Sequence, residues 1–204
     1  MPAKTERRTQ QERSAATRTR VLDATLSSLI ELGYAATTIS RVQERAGVAR
    51  GTLLHHFPTR ASLLVAVVED VAARRLHVLV DQAEQSTAGG WDGAVDLIWS
   101  DLQSPVFLAV LELWLAARTD DDLREALVPV ERTVFESVHR AVTSIVADDD
   151  PRVPTLVQFT IDLLTGSTMT TLLVDDDRPQ RVLLDRWRRA LPVLLGRADA
   201  DGWT

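Results

Sequence analysis

The chain has 204 residues, of which 45% are hydrophobic and 25% are charged, the proportions of an ordinary globular protein. It contains no cysteine, which excludes disulfide bonds and thiolate metal sites and leads us to expect a cytoplasmic location. Its formal net charge of −6, taken alone, argues against a nucleic-acid partner.

The charges are distributed unevenly along the chain. Residues 1–60 contain ten basic residues, nine of them arginine, and five acidic ones, so this stretch carries +5 and the other 144 residues carry −11. A basic N-terminal part on an acidic remainder is typical of a protein in which only one end meets phosphate. Ordinary variation in surface charge is the alternative interpretation.

The first sixteen residues are polar and basic, with almost no apolar side chain. This composition predicts a mobile basic arm over residues 1–16 and argues against a secretory signal. The basic side chains could reach DNA phosphates or a minor groove, or the arm could simply be solvated. These side chains are Lys4, Arg7, Arg8 and Arg13.

Three helices are predicted next. Apolar residues recur at helical spacing over residues 17–32, and Gly33 follows as a stop signal. Thr38 is a candidate N-cap of the second helix. Gly47 suits the left-handed backbone of a tight turn into a third helix, which Arg50 opens.

The second and third helices each have an apolar face. Ile39, Val42 and Ala46 fall on one side of the second helix. Leu53 and Phe57 fall on one side of the third. We expect these two faces to pack together and hold the turn rigid.

The opposite face of the third helix is small and polar. At about 100° per residue it presents Gly51 and His55, flanked by Thr52 and Leu54. Such a surface suits a helix that lies against something other than its own core. The major groove of DNA admits a helix of this kind.

Residues 17–72 resemble the N-terminal domain of the tetracycline-repressor-like (TetR) transcriptional regulators. The motifs that carry the resemblance are Gly33-Tyr34, Thr38-Ile39, Ala46-Gly47-Val48, Gly51-Thr52-Leu53 and His55-His56-Phe57-Pro58. The chain departs from the family at Leu54 and Arg60, where tyrosine and lysine are usual. The resemblance implies double-stranded DNA as a partner. The DNA-contacting residues that it implies are Thr38, Arg50, Gly51, Thr52, Leu54, His55, His56 and Arg60.

Several of these positions have a second interpretation. Thr38 could cap its helix without touching DNA. Arg50 could read a guanine edge or hold a phosphate. His56 could be a structural residue at the edge of the core. Leu54 lacks the hydroxyl that the family directs to the DNA backbone.

The rest of the chain predicts helices only. Thr59 is expected to cap a fourth helix, and Ser104 with Pro105 forms an N-cap and first-position pair. Pro129 and Pro192 are expected to kink or split their helices. The later helices are predicted over residues 60–85, 91–103, 105–118, 122–147, 153–174 and 179–197, with a break at 86–90.

The predicted fold is therefore all-α, with about nine helices. An N-terminal three-helix helix-turn-helix DNA-binding domain is expected over residues 17–62. A C-terminal helical ligand-binding and dimerisation domain is expected over residues 63–204.

Three aspartate triplets lie at predicted helix boundaries, at residues 120–122, 148–150 and 175–177. Aspartates in these places can cap the next helix and complement its dipole. A divalent-cation site is the alternative. We predict capping, and no metal site.

No catalytic signature is present. The sequence lacks the nucleophile-elbow, P-loop, dinucleotide-binding and zinc-protease motifs. The apolar runs 63–68 and 106–111 are too short to span a bilayer. We therefore predict no enzymatic activity, no cofactor and no membrane partner.

The predicted C-terminal domain has features of a binding pocket for a small, apolar effector, although core packing would explain the same side chains. The candidate pocket residues are Trp99, Phe107, Leu111, Trp114, Phe135, Phe159 and Met169. The resemblance implies a homodimer formed by the last two long helices. The candidate interface residues are Leu163, Gly166, Thr170, Val182, Leu183, Trp187, Leu191 and Leu194.

The sequence thus predicts a transcriptional regulator that acts as a homodimer on a palindromic operator, as a repressor released by a ligand. One alternative is a helical small-molecule-binding protein or enzyme with a purely structural helix-turn-helix. Another is a transcriptional activator of the same fold.

Overall fold

The computed structural model describes residues 9–85, 90–172 and 178–198, which form nine α-helices and no strand. The all-α prediction is confirmed. The helices are α1 (Gln10–Ala36), α2 (Ile39–Ala46), α3 (Arg50–His56), α4 (Arg60–Gln85), α5 (Gly90–Leu102), α6 (Pro105–Ala117), α7 (Asp121–Val146), α8 (Val153–Thr171) and α9 (Arg178–Leu194).

The first helix begins earlier than its apolar pattern predicts. Thr9 Oγ1 accepts a hydrogen bond from the Glu12 amide, and Glu12 Oε2 accepts one from the Thr9 amide at 2.7 Å. This capping box starts α1 at Gln10. The prediction that the mobile arm extends through residue 16 was therefore wrong, because residues 10–16 are helical. The rest of the predicted arm, residues 1–8, lies outside the described residues.

The turn between α2 and α3 forms as predicted. Thr38 Oγ1 accepts the Arg41 amide at 3.3 Å and caps α2. Gly47 adopts φ 61°, and its amide donates to the Glu44 carbonyl at 3.2 Å. The Val48 amide bonds the Gln43 carbonyl at 3.3 Å, which completes a Schellman termination. The turn is thus closed by backbone geometry that favours glycine.

The two internal prolines do not split their helices, and the predicted kinks stay predictions. Helix α7 is not split at Pro129, whose exposed position lets water solvate the carbonyl that loses its partner. Helix α9 continues through Pro192 and ends at Leu194, where Gly196 at φ 66° closes another Schellman turn. Ser104 and Thr59 cap α6 and α4 as expected.

The chain divides into two compact units. The first contains Met1–Val71 and Leu108–Val130, and the second contains Ala72–Phe107 and Glu131–Thr204. The first unit therefore joins the helix-turn-helix to most of α6 and the start of α7. The functional domain boundary predicted at residue 62 stays a prediction.

Within the first unit, Tyr34 is bound from three sides. Its amide donates to Glu112 Oε1 at 2.8 Å, and its hydroxyl donates to Asp120 Oδ2 at 2.5 Å. The Arg60 guanidinium lies over its ring, 3.9 Å from the centroid. Burial and the hydrogen bond to Asp120 raise the pKa of Tyr34, and the same hydrogen bond lowers the pKa of Asp120. These contacts fix the end of α1 to α4, α6 and α7.

Gly33 marks where this end of α1 leaves helical geometry, with φ 76° and ψ 175°. A Cβ at Gly33 would lie 2.8 Å from Glu112 Oε1. We expect Gly33→Ala to displace the Glu112 carboxylate, break its hydrogen bond to Tyr34 and lower the free energy of unfolding. Gly47→Ala is the control for a glycine at positive φ with open space around it.

Gly47→Ala forces alanine into left-handed backbone, at about 1 kcal/mol. Gly33, at φ 76° and ψ 175°, lies in a region that is essentially confined to glycine, so its backbone strain is larger. The lost charge-assisted hydrogen bond should make Gly33→Ala worse by about 1 kcal/mol or more. Urea unfolding of the two variants measures the difference. Equal losses would show that the Glu112 contact contributes nothing to stability.

The second unit contains α5, which packs against α8 and α9. The Trp187 indole N–H donates to Thr160 Oγ1 at 3.0 Å, inside this unit. Arg152 donates to the carbonyls of Leu194 and Leu195 at 3.0 and 2.6 Å and so caps the C-terminal end of α9. The connection between α7 and α8 therefore positions α9.

Two carboxylates hold this connection in place. Asp150 accepts hydrogen bonds from the Arg152 guanidinium and amide, and Asp148 accepts two from Arg197. These bonds lower the pKa of both aspartates below the ordinary value.

A carboxylate with a lowered folded-state pKa stabilises the fold above its unfolded pKa and loses that contribution as pH falls toward the folded value. We therefore expect the urea concentration at the midpoint of wild-type unfolding to decrease as the pH is lowered below about 4. Asp150→Asn should lower the midpoint at pH 7 and flatten its acid dependence. Asp149→Asn, one residue away without such bonds, is the control. An unchanged acid dependence in Asp150→Asn would exclude this contribution.

No single helix in the described part of the chain is long and apolar enough to cross a membrane. Helices α5 and α6 pass that test only as a pair, by length and composition, and they bend by 68° at the break between them.

Candidate nucleic-acid interface

Helix α3 buries one face and exposes the other. Leu53 is fully buried and Phe57 is 3% exposed, and both lie against the rest of the first unit. Val42 of α2 is also fully buried, as its apolar spacing predicted. The exposed residues of α3 are Arg50, Gly51, Thr52 and His55. The structure therefore presents the predicted face of α3 to solvent.

Two polar side chains on this face have no bonding partner among the described residues. Neither Arg50 nor Thr52 makes a hydrogen bond or ion pair with any described residue. A Cβ at Gly51 would meet nothing within 4 Å, so a partner can approach this backbone closely. An exposed cation beside a hydroxyl and an open glycine is chemistry suited to a phosphate or a base edge.

Other arginines of the first unit are already engaged. Arg45 forms a two-bonded ion pair with Glu31 and lowers the pKa of that carboxylate. Arg41 donates to the Ala36 carbonyl at 3.3 Å. All three arginines are exposed, and Arg50 differs from the other two because its side chain has no partner among the described residues.

The two histidines differ in exposure. His55 is exposed and His56 is half-buried, with their rings in edge contact at 5.6 Å between centroids. His56 also lies 6.2 Å from the Phe57 ring. Leu54 is half-buried. His55 therefore belongs to the exposed face, whereas His56 and Leu54 lie at its edge.

Arg60 occupies a different environment from that expected of a DNA contact. Its Nε donates to the Thr37 carbonyl at 3.0 Å, its Nη2 donates to the Tyr34 carbonyl, and its plane covers the Tyr34 ring. Because both carbonyls end α1, Arg60 satisfies them as a positively charged cap. Its position in the sequence gave no sign of these contacts, which depend on the fold of the first unit.

The predicted pocket residues do not share a cavity with one another in the three grooves that we describe. One groove of about 510 Å³ lies in the first unit, beside Tyr34 and Asp120. Grooves of about 540 and 290 Å³ lie in the second, and all three have other lining residues. Phe107 and Leu111 are buried, Trp99 and Phe135 half-buried, and Trp114, Phe159 and Met169 exposed.

Five of the predicted interface residues come together. Leu163, Gly166 and Thr170 of α8 and Val182 and Leu183 of α9 line the 540 Å³ groove. Val182 is 47% exposed. This part of the predicted surface is therefore continuous and open.

The other interface candidates lie elsewhere. Leu191 is fully buried within its own chain, and its place in a dimer interface stays a prediction. Trp187 is half-buried with its indole bonded to Thr160. Leu194 is 44% exposed near the end of α9.

The aspartate triplets act in local structure. Asp120 Oδ1 accepts the Leu123 amide at 3.0 Å and caps α7. Asp148 and Asp150 form the bonds with Arg197 and Arg152 described above, and the triplet at 175–177 lies outside the described residues. The described residues contain no group of three His, Cys, Asp or Glu side chains that could hold a metal ion.

Comparison with known proteins identifies the same helix-turn-helix region. Residues 21–67 match the model of bacterial regulatory proteins of the tetR family. An uncharacterized HTH-type transcriptional regulator of Mycobacterium tuberculosis strain H37Rv is 28% identical over 167 residues, covering 79% of this chain and 86% of the relative. The HTH-type transcriptional repressor AcnR of Corynebacterium diphtheriae is 27% identical, covering 59% and 60% of the two chains.

Solved structures share the fold. The multidrug binding protein EbrR, in its complex with ethidium, superposes with a TM-score of 0.62 at 22% identity. The match covers 84% of this chain and 98% of EbrR. The similarity of fold therefore extends well beyond the helix-turn-helix.

An all-helical chain with an exposed, unpaired recognition-helix face and relatives of this kind is a DNA-binding transcriptional regulator. Residues 21–67 belong to the tetR family of bacterial regulatory proteins.

Proposed function

We propose that the protein is a homodimeric repressor that binds a palindromic operator and is released from it by a small, apolar effector. The observation that carries the proposal is the exposed face of α3, where Arg50 and Thr52 have no partner among the described residues. Residues 17–62 would form the DNA-binding domain and residues 63–204 the effector and dimerisation domain.

Each proposed DNA contact has a distinct task. Arg50 and Thr52 bind phosphate or a base edge, and His55 extends this contact along the exposed face. Gly51 lets the duplex approach the backbone. Thr38, Leu54 and His56 line the edge of the interface. Arg60 positions the end of α1 and does not reach DNA.

The homodimer explains the exposed apolar groove between α8 and α9. A surface lined by Leu163, Val182 and Leu183 gains free energy when a second chain covers it. A two-fold dimer presents two copies of α3. It therefore fits two half-sites separated by about one helical turn or a multiple of it.

The repressor and effector assignments follow relatives. AcnR is named a transcriptional repressor, and EbrR binds ethidium in its structure. By linkage, an effector that favours a conformation poorly suited to the operator weakens DNA binding, and DNA weakens effector binding by the same factor.

The test is a fluorescence anisotropy titration with labelled duplex from the intergenic region upstream of the gene, at several salt concentrations. Because phosphate contacts dominate affinity, log K should fall linearly with log salt concentration, by about 0.9 per phosphate contacted. No binding at low salt to this duplex or to any selected duplex would reject the proposal.

A further inference from the structure

The groove between α8 and α9 contains one acidic and one basic side chain. Asp162 is the only charged residue in α8, and Arg186 of α9 is the only basic residue that lines the groove. The remaining lining residues are apolar or neutral and include Leu163 and Leu183. The two charges therefore decide the electrostatics of this surface.

Neither charge has an ion-pair partner among the described residues of its own chain. Asp162 accepts two hydrogen bonds of 2.9 Å from the Gln158 amide nitrogen, which is uncharged. Arg186 is exposed, and its guanidinium makes no hydrogen bond or ion pair with any described residue. The nearby bond between Trp187 and Thr160 places α9 beside α8 at this level of the groove.

Covering such a groove with a second chain would take both charges out of water. An uncompensated buried charge is strongly unfavourable, whereas a buried pair of opposite charges is tolerated. In a two-fold dimer, any contact from one chain to its partner occurs a second time with the roles exchanged. A single type of residue pair, formed twice across the two-fold axis, thus neutralises all four charges.

We propose that Asp162 of one chain pairs with Arg186 of a second copy and fixes the register of the α8–α9 interface. This proposal rests on the homodimer proposed above, and it names the residues that determine which surface of the second copy is accepted. Opposite charges give specificity because like-charged juxtapositions repel wrong registers. The two-fold axis then passes close to the level of these two residues.

The experiment reverses the charges singly and together. Asp162→Arg and Arg186→Asp each place like charges opposite each other in a homodimer, so each should raise the dimer dissociation constant about tenfold or more, measured by sedimentation. The double variant Asp162→Arg/Arg186→Asp should recover most of the affinity. Arg189→Asp, an exposed charge reversal of α9 outside the groove, should change little.

Mixing the two single variants separates a pair between chains from a pair within one chain. Native mass spectrometry of the mixture should show predominantly heterodimers, because each chain then meets the opposite charge on its partner. A statistical mixture, or single variants that dimerise like the wild type, would overturn the proposal while the homodimer stands. A wild type that is monomeric at micromolar concentration would instead remove the homodimer itself.

Discussion

Replacing Arg50, Thr52 and His55 together by alanine is expected to lower the affinity for operator DNA about 100-fold or more. A side chain that contacts a base edge is worth about 1–3 kcal/mol, and 1.4 kcal/mol corresponds to a factor of ten. All three side chains are exposed, and alanine favours helix, so α3 should remain folded.

The matched control changes the same residue types outside the helix-turn-helix. Arg132, Thr155 and His77 are exposed in the second unit, and their combined alanine variant should bind DNA like the wild type. Anisotropy titration compares the two triple variants, and circular dichroism verifies their helix content. Equal affinities would mean that DNA meets another surface.

Arg50→Ala alone separates two roles of that side chain. If Arg50 reads a base, the loss should be greater on operator than on scrambled DNA. If it holds a phosphate, both affinities should fall alike, and the salt dependence should weaken by about one phosphate contact.

Leu53→Ala is expected to lower the free energy of unfolding of the first unit by about 2–5 kcal/mol. Leu53 is fully buried where α3 meets the unit's core, and removing a buried leucine costs transfer free energy and leaves a cavity. DNA binding should weaken with it, because the exposed face of α3 depends on this anchor.

Leu54→Ala is the control for this prediction. Leu54 follows directly and is only half-buried, so its loss should be clearly smaller. Urea unfolding, with hydrogen exchange to locate the loss in the first unit, measures both variants. Equal destabilisation would contradict the packing of α3 described here.

The sequence predicted the helix-turn-helix well because its signals are local. Thr38 caps the next turn, Gly47 adopts left-handed backbone, and the spacing of Val42 and Leu53 sets the buried faces. Each depends on residues within a few positions along the chain. The same reasoning placed the exposed face of α3.

The contacts of Arg60 and Leu191 could not be predicted in this way. Arg60 is satisfied by Thr37 and Tyr34, more than twenty residues away in sequence. Leu191 fits an interface pattern as well as a core pattern, because both require apolar residues at helical spacing. Only the packing of the second unit shows that Leu191 is fully buried within its own chain.

The start of α1 shows a third kind of difference. Residues 10–16 lack apolar periodicity, so we predicted that they belong to a mobile arm. The capping box of Thr9 and Glu12 nonetheless starts the helix there. A polar segment can be helical when it extends a helix that the core already stabilises, because nucleation has been completed elsewhere.

The most direct test of the central claim is selection of duplexes from a random DNA pool by the wild type and by the Arg50, Thr52 and His55 triple variant. The account predicts that the wild type enriches an inverted repeat with half-site centres about one helical turn or a multiple apart, and that the triple variant enriches none. Failure of the wild type to enrich any sequence at low salt, or enrichment of the same sequence by the triple variant, would contradict it.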